Sequence, residues 1–268
     1  MSLYNYLKDA ANELSDLFLP ASCACCAAYG KLLAGHKVFC PPCWQAISRR
    51  MTTVGRAPLR FADPPTFFAA HYEAELARAI LSYKNAGRTD LLPYFARWML
   101  PALERCLAQF LGQDDYCPAT VPRIYLVPVP SSRVSVRRRG FAPAHLLASA
   151  LAGQLRRRGY TCSVLPALEQ KRDFFFRAGQ QQKTLGAKER YVRMCHRLLL
   201  AGPPLACLGF SYELAGRYCL LIDDVATTGA SLNAAARVLN AAGSRLVGAC
   251  TLAAVAAPGK NDTSWEIP

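Results

Sequence analysis

Cysteine pairs near the amino terminus have the spacing of a metal site. Cys23 and Cys26 are separated by two residues, as are Cys40 and Cys43, and thirteen residues lie between the two pairs. Two such knuckles bring four thiolates to the corners of a tetrahedron, which is the geometry of a closed structural zinc site. We therefore predict an amino-terminal zinc ribbon whose Zn²⁺ has no open position for catalysis.

Other interpretations of this cysteine-rich segment stay open. Cys25 lies inside the first pair, and its use in place of Cys26 shortens the knuckle, so we expect Cys25 to be a bystander. His36 is a possible substitute ligand. The cysteines are alternatively buried thiols or redox-active groups that hold no metal.

A second sequence motif consists of an apolar strand followed by two carboxylates and a hydroxyl-rich turn. The strand, Tyr218–Ile222, runs into two adjacent carboxylates, and the turn then leads into an amphipathic helix. The carboxylates are Asp223 and Asp224, and the turn contains Thr227, Thr228, Gly229, Ala230 and Ser231. Backbone N–H groups at a helix start, hydroxyl groups and a glycine together bind phosphate. Carboxylates at the carboxyl end of a strand can accept hydrogen bonds from vicinal sugar hydroxyls, at the edge where open parallel sheets bind ligands.

The pattern therefore predicts a site for a phosphorylated ribose. The alternative is a well-capped helix in which the two aspartates only form a turn.

This stretch resembles the phosphoribosyl pyrophosphate signature of type I phosphoribosyltransferases. The order of motifs along nearly the whole chain resembles the ComF competence family, also called amidophosphoribosyltransferase-like. The further matching residues are Ser82-Tyr83-Lys84 with Gly87-Arg88, Leu126 to Pro130 with Arg133, Arg138-Arg139-Gly140-Phe141, and Arg177, Gln182, Leu185, Glu189 and Arg190. The chain departs from the family at Ala142 and Arg193, where the family commonly has Asn.

The resemblance implies roles for individual side chains. Asp223 and Asp224 are the catalytic carboxylates that hold the ribose hydroxyls, and the turn over residues 227–231 anchors the 5′-phosphate. Mg²⁺, bound chiefly by pyrophosphate and ribose oxygens, assists departure of the leaving group. The candidate cations for the pyrophosphate are Lys84, Arg133, Arg138 and Arg139. These cations alternatively form a solvated basic face.

Three functions are compatible with these motifs. The first is transfer of a phosphoribosyl group to an unidentified nucleophile, and the second is a regulatory module that senses the sugar phosphate without turnover. The third, implied by the resemblance, is a competence factor that handles incoming single-stranded DNA with helicase and recombination partners. A formal charge of +14, from 32 basic and 18 acidic residues, attracts polyanions in each case.

Strands that alternate with helices predict an α/β fold with a largely parallel sheet. The predicted strands are Thr66–Tyr72, Ile124–Val129, Cys162–Leu165, Tyr218–Ile222 and Leu246–Leu252, and the predicted helices are Glu73–Tyr83, Leu91–Phe110, Ala144–Arg157, Leu185–Arg197 and Leu232–Ala242. We expect a helix and zinc ribbon over 1–60, a phosphoribosyltransferase-like domain over 61–258 and a flexible tail over 259–268.

The ends of the chain and its apolar runs predict where the protein resides. Residues 1–20 lack the basic region and apolar core of a signal peptide. The longest apolar run, Leu246 to Ala257, is shorter than the roughly 20 residues that span a bilayer. We therefore expect a cytoplasmic protein without a membrane span, whose thiols are reduced or metal-bound.

Overall fold

The structure is a computed structural model. It describes residues 22–30, 32–33, 38–51, 54–57, 64–112, 117, 119, 121–171, 198–202 and 212–255. The expected amino-terminal helix, His36, the expected helix Leu185–Arg197, the matching residues Arg177 to Arg190 and the expected tail lie outside the described residues.

The chain divides into two compact units that interleave along the sequence. The first contains residues 1–52 and 73–91, and the second contains residues 53–72 and 92–268. The expected domain boundaries divide the chain into consecutive segments instead, and they stay a prediction.

The described residues of the first unit include the cysteine pairs and two helices, α1 (Pro41–Arg50) and α2 (Ala74–Ala86), followed by a 3₁₀ turn at Thr89–Leu91. Pro41 and Pro42 open α1, where a missing N–H costs nothing. Helix α2 buries Leu76, Ala79, Ile80 and Tyr83 on one face, as an amphipathic helix does. Gly87, with φ +68°, ends α2 in the left-handed conformation that favours glycine.

The second unit is built on a six-stranded sheet. Its strands are β1 (Gly55–Arg56), β2 (Thr66–His71), β3 (Ile124–Pro128), β4 (Cys162–Val164), β7 (Tyr218–Ala226) and β8 (Arg245–Ala254), in the order β1-β2-β8-β7-β3-β4. Among the strand pairs of this sheet, only β1–β2 is antiparallel. A separate two-stranded antiparallel hairpin pairs β5 (Leu168–Gln170) with β6 (Leu198–Leu200).

Helices cover both faces of this sheet. They are α3 (Leu92–Leu111), α5 (Pro143–Arg157) and α6 (Ala230–Ala241), whereas the short helix α4 (Arg133–Arg139), which follows β3, has no buried residue. Successive side chains of a strand point to opposite faces of the sheet. On one face, Leu221 of β7 is buried in the core that contains α6. On the other face, the Cys250 thiol of β8 donates to the Met99 carbonyl of α3. Because the central strands β7 and β8 are buried on both faces, their sequences are almost continuously apolar.

Three features of the second unit differ from the sequence expectations. The strand predicted to end at Ile222 continues to Ala226, because Asp223, Val225 and Ala226 keep their ladder pairing with β8. The next helix begins at Ala230, two residues before the predicted start. The short strand β1 (Gly55–Arg56) is not among the predicted strands.

The predicted fold class is confirmed. The protein has a mostly parallel sheet flanked by helices and a four-cysteine cluster near its amino terminus. Within the part of the chain that the structure describes, no helix combines the length and apolarity needed to cross a bilayer.

Candidate functional site

The two cysteine pairs meet in the first unit. The Sγ atoms of Cys23, Cys26, Cys40 and Cys43 all lie within 4.8 Å of one another, and those of Cys26 and Cys40 are 3.7 Å apart. Four Zn–S bonds of about 2.3 Å in a tetrahedron separate the sulfurs by about 3.8 Å. The cluster therefore has the donor set and dimensions to hold a metal ion such as zinc.

Local geometry brings the two pairs together. The Cys23 N–H donates to the Ala28 carbonyl at 2.9 Å, which closes the first pair into a tight loop. The second pair straddles the start of α1, since Cys40 caps the helix and Cys43 lies in its first turn. Three of the four cysteines are buried, and Cys26 is exposed. The Ala24 N–H also donates to the Val38 carbonyl at 2.9 Å, which holds the segments of the two pairs together.

Backbone N–H groups favour the thiolate form of Cys23. Its Sγ accepts hydrogen bonds from the N–H of Cys40 at 3.4 Å and of Cys25 at 3.5 Å. Burial opposes ionisation, yet these N–H groups and that of Cys26 outweigh it and lower the pKa of Cys23 to about 6. Because metals bind thiolates, this environment prepares Cys23 as a ligand.

Cys25 has a different environment from the four clustered cysteines. Its thiol donates to the Glu75 carbonyl of α2 at 3.3 Å. Burial, followed by the neighbouring Cys23, raises the pKa of Cys25 to about 12. Cys25 is therefore a buried, protonated thiol outside the cluster, in agreement with the expectation that it is a bystander.

Arg88 links the segment after α2 to the first cysteine pair. Its guanidinium contacts both carboxylate oxygens of Asp90, at 2.7–3.1 Å, and donates to the Ser22 carbonyl at 2.9 Å. Ser22 directly precedes Cys23. Sequence inspection singled out Lys84 in this region, and Lys84 lies on α2 within the first unit. Its assignment to pyrophosphate stays a prediction.

The two aspartates and the hydroxyl-rich turn lie where β7 leads into α6. Gly229, at φ +79°, occupies the N-cap position of α6, and its carbonyl accepts the first helical hydrogen bond, from Asn233 N–H, at 2.9 Å. The Ala230 N–H lies 3.4 Å from Oγ1 of Thr228. Thr227 and Thr228 are exposed and Ser231 is partly exposed. The turn thus presents hydroxyls beside the amino terminus of a twelve-residue helix, a combination that suits an anion.

The two aspartates occupy consecutive positions of β7 but have different environments. Asp224 is buried, with 7% of its surface exposed, whereas Asp223 is partly exposed and pairs in register with Thr251 of β8. Successive side chains of a strand point to opposite faces. The turn and both carboxylates lie beyond Ile222, which is the last β7 residue that pairs with β3.

The basic candidates beside this edge come from the segment after β3. Ser132 caps α4, and its Oγ accepts from the Ser135 N–H at 3.2 Å. Arg133 at the helix start forms an ion pair of 3.0 Å with Glu169, a residue that sequence inspection did not select. Arg138 is exposed. The Nε atom of Arg139 is buried and has no hydrogen-bond partner among the described residues.

A family model described as phosphoribosyl transferase domain matches residues 134–267, which is half of the chain. The chain belongs to the phosphoribosyl transferase domain family. A comparison with curated proteins finds no match.

The phosphoribosyl transferase domain match includes β7, the turn and α6. Both aspartates and all five turn residues, 227–231, therefore lie within the family region, as do Arg138 and Arg139. The four-cysteine cluster, Lys84 and Arg133 precede the matched residues. The individual roles predicted for these side chains remain predictions.

Proposed function

We propose that this protein binds phosphoribosyl pyrophosphate at the carboxyl end of β7 and transfers its phosphoribosyl group to a nucleophile. The observation that carries the proposal is the junction of Asp223 and Asp224 with a hydroxyl-rich helix start inside a phosphoribosyl transferase domain. This junction offers anion-binding and hydroxyl-binding groups side by side.

In this proposal, the turn holds the 5′-phosphate. The N–H groups at the start of α6 and the hydroxyls of Thr227, Thr228 and Ser231 donate to phosphate oxygens. Gly229 allows the main chain to approach them closely. Asp223 and Asp224 accept hydrogen bonds from the ribose hydroxyls and offset positive charge that develops on the ring.

The reaction replaces one bond at the anomeric carbon with another. The C–O bond to pyrophosphate breaks, pyrophosphate leaves with the electron pair, and the nucleophile forms the new bond. Because the protein acts mainly by positioning and by charge, it needs cations near the leaving group. Arg133, Arg138 and Arg139 serve as these cations. Mg²⁺, when bound by the pyrophosphate and ribose oxygens, neutralises the leaving group further.

We further propose that the four clustered cysteines bind Zn²⁺. Four thiolates complete a tetrahedral shell, so the ion has a structural role. It staples a segment that is too short to fold on its own. We also propose the linear domain boundaries expected from sequence, with the zinc ribbon within 1–60 and the phosphoribosyltransferase-like domain over 61–258.

The finer family assignment that we propose is ComF, with a cytoplasmic role in DNA uptake. The order of a four-cysteine cluster followed by a phosphoribosyl transferase domain supports it. The formal charge of +14 favours a second candidate function, in which the fold serves as a scaffold that binds single-stranded DNA without catalysis.

Calorimetric titration of the zinc-loaded protein with phosphoribosyl pyrophosphate and Mg²⁺ tests the proposed site. We expect the wild type to bind and a variant with Asp223→Asn and Asp224→Asn to lose binding. Glu213→Gln is a matched control, because Glu213 is exposed and precedes the opposite, amino end of β7. A well-folded wild type that binds no ligand would exclude the substrate and favour the DNA-scaffold function.

A further inference from the structure

Two consecutive polar residues of β5 hold the segment between β3 and α4. Oε2 of Glu169 lies 3.0 Å from Nη2 of Arg133. Nε2 of Gln170 donates a 2.9 Å hydrogen bond to the Pro130 carbonyl. The segment 130–133 is therefore tied to β5 at both of its ends, although 36 and 40 residues separate the partners in sequence.

The hairpin that carries these residues is anchored in the core. Leu168 of β5 and Leu198 of β6 are buried in the same hydrophobic cluster as Leu232 of α6. The Ala201 N–H also donates to the Ala167 carbonyl at 2.8 Å, which extends the pairing past the end of the hairpin. Glu169 and Gln170 thus project from an element that is packed on the helix following the hydroxyl-rich turn.

The contact between Glu169 and Arg133 leaves most of the guanidinium available. It joins one nitrogen to one oxygen, whereas a guanidinium has five N–H donors. The side chains of Glu169 and Arg133 are 43% and 48% exposed, so the pair itself adds little to the stability of the fold. An unrestrained arginine side chain loses rotamer entropy when a ligand fixes it. The main effect of the pair is therefore to restrict Arg133 before a ligand binds.

We propose that Glu169 and Gln170 are positioning residues, which hold Arg133 and the 130–133 segment in the orientation that receives the pyrophosphate group. This inference rests on the proposed function, because it assigns a role at the same ligand site. Glu169 thereby adds a carboxylate to a site in which the side chains proposed to bind pyrophosphate are all cationic. The carboxylate acts through Arg133 and does not contact the ligand.

The negative charge of Glu169 and its orienting effect on Arg133 change ligand affinity in opposite directions, so substitutions can separate the two effects. The Glu169 carboxylate repels an anionic ligand, but its oxygen also fixes the guanidinium. Glu169→Gln removes the charge and keeps an oxygen that can accept the hydrogen bond, whereas Glu169→Ala removes both. If orientation dominates, the glutamine variant binds at least as tightly as the wild type, and the alanine variant binds more weakly.

The experiment measures the dissociation constants of phosphoribosyl pyrophosphate with Mg²⁺ and of ribose 5-phosphate for the full zinc-loaded chain. For Glu169→Ala we expect phosphoribosyl pyrophosphate to bind about three- to fivefold more weakly, with ribose 5-phosphate unchanged. For Glu169→Gln we expect wild-type or tighter binding. In an Arg133→Ala background, Glu169→Ala is expected to have no further effect.

Several results would overturn the inference. Tighter binding by both Glu169 variants would show that the carboxylate only competes with the ligand. Unchanged binding by Glu169→Ala, or equal weakening for both ligands, would show that Glu169 does not position a pyrophosphate-specific cation. If the wild type binds neither ligand, the proposed function fails first, so the two failures are distinguishable.

Discussion

The backbone N–H of Asp224 donates a 2.8 Å hydrogen bond to Oδ1 of Asp223. This contact fixes the Asp223 carboxylate beside the main chain at the place where β7 extends beyond β3. One oxygen of Asp223 is thereby engaged by the protein, and Asp224 is buried. The two adjacent carboxylates therefore differ in hydrogen bonding and burial, so we expect their substitution to affect stability and ligand affinity differently.

We predict that Asp223→Asn retains the fold but loses ligand affinity. The amide oxygen of Asn can still accept from the Asp224 N–H, so thermal unfolding should stay close to that of the wild type. Loss of the negative charge should weaken binding of phosphoribosyl pyrophosphate at least about tenfold, which is roughly 1.4 kcal/mol. Calorimetry and thermal denaturation measure the two effects separately. Wild-type affinity in this variant would remove Asp223 from the ribose site.

We predict that Gly229→Ala destabilises the protein and impairs the phosphate turn. Gly229 has φ +79°, and an L-residue with a Cβ costs roughly 1–2 kcal/mol in the left-handed region. The matched control is Gly153→Ala in α5, where a Cβ would meet no atom within 4 Å. A glycine inside a helix is less favourable than alanine, so the control should gain about 0.5–1 kcal/mol. Denaturant unfolding compares the two; equal effects would contradict the role of the Gly229 conformation.

We predict that Cys26→Ser and Cys25→Ser differ in metal content. Cys26 belongs to the four-thiol cluster, and its replacement by serine should reduce bound zinc well below one ion per chain and lower thermal stability. Cys25 lies outside the cluster and donates to the Glu75 carbonyl, which a serine hydroxyl can also do. Elemental analysis after purification checks this prediction. The reverse pattern would show that Cys25 replaces Cys26 as a ligand.

We predict that Arg88→Ala accelerates metal loss. Arg88 donates to the Ser22 carbonyl, which precedes Cys23, and a hydrogen bond from a charged group contributes about 1.5–3 kcal/mol. Zinc transfer to a chromophoric chelator should be several-fold faster. Arg78→Ala is the control, since Arg78 makes an exposed pair with Glu75 within α2 that contributes little. Equal rates in both variants would show that the Ser22 contact does not support the knuckle.

We predict that Gly248→Ala destabilises the second unit through overpacking. A Cβ at this position of β8 would lie 2.5 Å from Cys106 Sγ and 2.8 Å from the Pro65 carbonyl oxygen. Such crowding costs about 1–3 kcal/mol, measurable by denaturant unfolding. Adding Cys106→Ala should recover only part of the loss, because the backbone oxygen remains. Full recovery would show that contact with the Cys106 thiol alone causes the loss of stability.

Local sequence patterns predicted several elements well. The apolar run that begins at Tyr218 corresponds to β7, and the amphipathic pattern over 144–157 corresponds to α5. These patterns are predictive because residues that are buried in the core must be apolar at the spacing of a strand or a helix. The prediction was wrong at the end of β7, where the expected strand stopped at Ile222, before Asp223 and Asp224. Pairing with β8 keeps them in the strand, and that pairing depends on residues almost 30 positions away.

The sequence alone determined the cysteine pairs, the hydroxyl-rich turn and the alternation of strands and helices. Each of these depends on spacing within a few residues, so local chemistry is sufficient to predict it. Only the tertiary structure decided that Glu169 contacts Arg133, that Arg88 reaches the Ser22 carbonyl, and that the hairpin β5–β6 exists. These contacts join residues far apart in sequence, and no local pattern encodes them because their partners meet only after the strands have paired and the core has packed.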